Sequence, residues 1–112
     1  MTTNDLINLD YRLPETKVIL TKALRLIPPI GKLENIEMSH VEKAIHIICH
    51  KYQYHLLLHQ NPQVNKKYDI YDCCIINDNN LEQEGKVYGC CMEEVLIKTA
   101  IMLYTLVRRS KK

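Results

Sequence analysis

From Cys90 to Arg109 the chain carries more apolar surface than one helix face can hold, and this excess limits the possible folds more than any other feature. Turned about 100° per residue, Met92, Val95, Leu96, Thr99, Ala100, Leu103, Leu106 and Val107 make a broad apolar face. Ile97, Ile101 and Tyr104 carry it further round, leaving a narrow polar strip at Glu94, Lys98, Thr105 and Arg109. A helix so apolar must be covered from more than one side. A central place in a helical bundle achieves this within one copy. A homodimer that buries Ile97, Ile101 and Tyr104 across a two-fold axis achieves it with two, and is the preferred reading because symmetric dimers are the commonest assemblies. The segment is not read as a membrane span. Lys98 interrupts it, and Val95 to Val107 falls short of the ~20 apolar residues that a bilayer requires.

The rest of the chain supplies the elements for that cover. Pro14 suits the first turn of a helix, where a missing N–H costs nothing, and Glu15 favours the positive end of its dipole. The spacing predicts a helix to about Ile27, with Ile19, Leu20, Ala23, Leu24, Leu26 and Ile27 inward and Pro28-Pro29 as its stop. Ser39-His40-Val41-Glu42 reads as a capping box opening a second helix, which runs to His59 or Gln60 before Asn61-Pro62. Val41, Ala44, Ile45, Ile48, Tyr52 and Leu56 would line its core face. Residues 1–13, with Leu13 held extended by Pro14, read as an irregular arm laid on the core.

Between Val64 and Ile76 two patterns compete. Val64, Tyr68, Tyr71 and Ile75 fit helical spacing, while Tyr68 to Ile76 is dense in strand-favouring types. The helical pattern is preferred, which gives a mainly α, compact three- to four-helix domain over residues 1–112. The alternative is an α+β fold with a β-hairpin around residues 68–91, pairing Tyr68–Ile76 with Lys86–Cys91 across the turn at Asn77-Asp78-Asn79-Asn80.

Cysteine usage points to a reducing, cytoplasmic setting. Five Cys is an odd number, and the adjacent pairs Cys73-Cys74 and Cys90-Cys91 suit no common secreted disulfide framework. The N-terminal residues show no basic segment followed by an apolar run of the secretory type.

Candidate chemistry is sparse. His46, Cys49 and His50 share one sector of the second helix and make the strongest metal-ligand set, although Cys49 also fits as a small core residue. The paired histidines His46/His50 and His55/His59 lack the Glu of a metalloprotease motif. Cys90 and Cys91 fall at a predicted helix N-terminus, the setting that stabilises a reactive thiolate. Asp78, Asn80, Glu82 and Glu84 alternate like the start of a calcium loop, but Gly85 and Gly89 break the pattern. Ser39 and Ser110 offer no hydrolytic triad, and no Gly-rich phosphate loop exists.

A net charge of +2 demands no polyanionic partner. The basic tail at 108–112, with Arg108, Arg109, Lys111 and Lys112, nonetheless supports a nucleic-acid-binding module as one alternative. A thiol-redox or metal-binding protein is a second. The preferred reading is a small non-enzymatic protein–protein interaction module, an adaptor, inhibitor or assembly subunit, homodimeric, with a protein partner, no membrane contact and no cofactor.

Overall fold

The computed structural model of the chain describes residues 2–60 and 70–110. Its elements are α1 (Thr3–Ile7), α2 (Pro14–Leu24), α3 (Pro28–Gly31), α4 (Met38–Tyr52), β1 (Tyr54–Gln60), β2 (Tyr71–Asn77), β3 (Gln83–Gly89) and α5 (Met92–Ser110). The three strands form one antiparallel sheet in the order β1-β2-β3. The fold is therefore α+β, and the mainly α, three- to four-helix expectation is corrected.

The correction has a local origin at Gln53. α4 stops there because Gln53 takes the left-handed conformation, with φ 61° and ψ 54°, and its N–H closes on the Cys49 carbonyl. A non-glycine residue pays roughly 1–2 kcal/mol for that conformation. Seven cross-strand pairs from Tyr54↔Asn77 to Gln60↔Tyr71 outweigh it. The second helix thus ends well before His59, and its start lies before the proposed box: Met38 opens α4, with the Glu37 N–H donating to His40 Nδ1 at 3.0 Å.

In the ambiguous stretch a hairpin forms. β2 pairs with β3 from Tyr71↔Gly89 to Ile76↔Gln83, with one register shift at Ile75/Ile76. The turn between them is held by side chains, as Asn77 Oδ1 accepts the Asn79 N–H and Asn80 Oδ1 the Glu82 N–H, each at 2.9 Å. The helical spacing that involves Val64 and Tyr68 lies outside the described residues.

α5 is the centre of the molecule, packed against α1, α2, α4, β2 and β3. Val95, Ala100 and Leu103 are fully buried, and Ile97 and Ile101 retain only 9% and 5% of their exposure. The excess apolar surface is thus covered within one copy. Cys73, Ile75 and Val87 meet α5 from the sheet, while Leu20, Leu24, Val41, Ala44, Ile45 and Ile48 complete the core from α2 and α4. Leu26 departs from its expected inward position and is 65% exposed, because α2 ends at Leu24 and the chain turns there.

Within the segment read as an irregular arm, Thr3–Ile7 forms the short helix α1. α1 is capped by Thr2, whose hydroxyl accepts the Asp5 N–H at 3.2 Å, and the segment folds down onto α5. Thr3 and Thr105 share a hydroxyl hydrogen bond of 2.8 Å, and the buried Tyr11 donates its hydroxyl to Glu93. This cover converts part of the polar strip of α5 into interior. Glu94 and Lys98 are each 3% exposed and form an i,i+4 ion pair. Lys98 Nζ also donates to the Leu9 carbonyl at 2.8 Å, and Glu94 accepts the Cys90 N–H at 2.8 Å, so both charges are satisfied. No helix among the described residues is long and apolar enough to cross a membrane.

Candidate functional site

Strand alternation divides the sheet into two faces. Cys73 and Ile75 belong to the core that covers α5, so Asp72, Cys74 and Ile76 point the other way. Register carries the same face onto β1 at His55, Leu57 and His59, and onto β3 at Lys86 and Tyr88. Asp72 sits between His59 and Tyr88, and Cys74 between Leu57 and Lys86.

The polar groups of this outer face converge. His59 Nδ1 lies 2.9 Å from Asp72 Oδ1, and ligand atoms of His59, Asp72 and Cys74 all lie within 4.8 Å of one another. Asp72 and Cys74 are 2% and 6% exposed, whereas the His59 ring reaches solvent. Lys86 Nζ stands 5.3 Å from the Tyr88 ring centroid. Its ammonium is held above the ordinary range mainly by the Tyr88 hydroxyl, with smaller attraction from Asp72 and Cys74. At the far end of β1, His55 bonds to Asp78.

The structure separates the sets expected from sequence. His46 and His50 stack with ring centroids 6.5 Å apart and, with Cys49, line an open cleft of about 700 Å³ between α4 and β1. Their ligand atoms do not come together: among the described residues the converging His/Cys/Asp/Glu group is His59, Asp72 and Cys74. Burial pushes the Cys49 thiol up to about 11.

Cys90 and Cys91 precede α5 as expected, but Glu94 occupies the helix end by accepting the Cys90 N–H. Burial and the Glu94 carboxylate push the Cys90 thiol up to about 12, opposite to what a reactive thiolate needs. Ile97 and Ile101 lie inside the protomer and Tyr104 is half-buried, so these three present no open partner face. Arg108 and Arg109 are exposed at the end of α5, with Arg108 stacked 5.7 Å from the Tyr104 ring centroid. Lys111 and Lys112 lie outside the described residues.

Exposed apolar side chains are spread over the described surface, with Leu81 and Leu26 at 76% and 65%, and β1 carries an adjacent pair of them. Leu57 and Leu58 are 45% and 47% exposed on opposite faces of a strand that, among the described residues, has a sheet neighbour on one side. β3, the other edge, carries Glu84, Lys86, two glycines and a register shift, all of which discourage further pairing. β1 has no Pro, no Lys and no bulge. Neither β1 nor the His59–Asp72 pairing was signalled by sequence spacing. The alternation of Asp72 with Cys74 inside a strand-dense run was the available hint.

Comparison of the chain with protein-family models, with curated proteins and with solved structures finds no match.

Proposed function

We propose that this chain is a small protein–protein interaction module, an assembly subunit that pairs β1 with β1 of a second copy. The reading is carried by one observation: among the described residues β1 is an edge strand paired on one side only, with Leu57 and Leu58 exposed. Unpaired backbone N–H and C=O groups along such an edge are a template for strand addition.

The strand is also self-complementary. Antiparallel pairing about a two-fold axis at Leu57 sets Leu57 against itself, Leu58 against Leu56 of the second copy, and His59 against His55 of the second copy. Alternation keeps the outer faces of both copies on one side, so the result is a continuous six-stranded sheet. Each exposed leucine gains an apolar neighbour, and Asp72 and Asp78 already hold the two histidines that would meet.

Sedimentation velocity over a concentration series tests this. A mass rising from one copy to two is expected, with Leu57→Lys holding the chain as a monomer by placing two like charges together at the axis. A wild-type mass of one copy at every concentration overturns the reading. Binding of labelled DNA or RNA that falls steeply with salt and is lost on replacing Arg108 and Arg109 would move the function to the nucleic-acid alternative.

A further inference from the structure

We propose that His59, Asp72 and Cys74 form a binding site for one divalent transition-metal ion of borderline character, such as zinc or cobalt. Three different donor atoms, an imidazole nitrogen, a carboxylate oxygen and a sulfur, lie within 4.8 Å of one another on the outer face of the sheet. Ligands of a tetrahedral zinc ion lie about 3.3–3.7 Å apart, given bonds of roughly 2.0–2.3 Å, so convergence on an ion needs only side-chain adjustment. The backbone register fixes the arrangement. His59 and Asp72 are direct cross-strand partners, and Cys74 follows Asp72 by one strand repeat on the same face.

The donors are graded from inside to outside. Asp72 and Cys74 are buried in the central strand, whereas the His59 side chain is 54% exposed and turns readily toward an ion arriving from solvent. Cys74 is buried on the outer face of the sheet, between Leu57 and Lys86, and is not part of the cluster packed around α5. Thiolate with imidazole selects zinc or cobalt over the hard, oxygen-seeking magnesium and calcium.

Binding exchanges protons for the ion. The Cys74 S–H bond breaks, the proton leaves to solvent, and the sulfur electron pair goes to the metal. The hydrogen bond between His59 Nδ1 and Asp72 Oδ1 opens, its proton passes by way of solvent to His59 Nε2, and the freed Nδ1 lone pair and the Asp72 oxygen take the ion. Lys86 is the opposing charge. Its ammonium already leans on Tyr88, and the ion holds it there by repulsion from the site. The site does not depend on pairing of β1 with a second copy.

Cobalt titration of the purified, untagged full chain under reducing conditions tests the proposal. One cobalt per chain is expected, with a near-ultraviolet sulfur-to-cobalt charge-transfer band that zinc abolishes. Cys74→Ser should remove the band, and His59→Ala should weaken binding by more than about 100-fold, beyond the usual effect of an outer-shell partner. His59→Ala changes an exposed side chain and keeps the test independent of folding, while Lys86→Gln should tighten binding several-fold. Absence of a thiolate band in the wild type overturns the site, as does a band that survives both Cys74→Ser and His59→Ala.

Discussion

Two acid–base pairs in this molecule stand in opposite surroundings. Glu94 and Lys98 are closed in on all sides, with side chains 4% and 3% exposed, and each has a backbone partner as well. Asp72 is equally buried at 3%, but its partner His59 is 54% exposed. The closed pair ties Leu9, in the turn after α1, to α5 and to Cys90 just ahead of it, and so acts as a structural joint. The half-open pair can exchange one member without breaching the interior. Burial of the acid is common to both; access to the base decides which is suited to bind something.

The largest expected effect breaks the closed pair. Lys98→Met leaves the Glu94 carboxylate buried without a cation and should cost about 3–5 kcal/mol, read from urea unfolding. Adding Glu94→Gln should recover most of it. A loss below about 1 kcal/mol for Lys98→Met would show that water reaches Glu94 and erase the contrast. His59→Ala should cost at most about 1 kcal/mol in the same assay, because solvent screens the half-open pair. A loss as large as that of Lys98→Met would make His59 structural.

The smallest effect reports the electrostatic reach of the closed pair. The Cys90 thiol is raised from 9.0 to about 12 by burial and by Glu94, so folding favours its protonated form. Its contribution is fully present below pH 9.0, and is lost as pH rises through that value toward about 12. The unfolding midpoint of the wild type should therefore fall relative to Cys90→Ala over that interval. Parallel curves for the two proteins would separate Cys90 from Glu94.

Periodicity made α5 and α2 legible because a long apolar repeat has one helical solution. β1 was not legible. Leu56, Leu57 and Leu58 are good helix formers, His55 and His59 fit i,i+4 spacing, and the strand that captures them begins only at Tyr71. Gln53 gives no local sign of its left-handed turn, as a glycine would. Placing Cys73 and Cys74 on opposite faces follows from strand geometry alone, but joining Cys74 to His59 requires the register of β1 on β2. Glu94 and Lys98 looked like a solvated strip because their cover comes from Leu9 and Tyr11, remote in sequence. The residues legible from spacing, Ile97 and Ile101, are the ones the interior claimed.

The hydroxyl contact between Thr3 and Thr105 spans nearly the whole sequence, and α5 touches almost every other element. During synthesis, everything up to Gly89 therefore emerges from the ribosome without its central packing partner. Sheet and early helices must wait for α5 before either gains a stable interior, so folding should proceed in one late, concerted step. A chain that delays its own completion in this way leaves the apolar faces meant for α5 open longest, and it is there that nearby nascent chains would meet first.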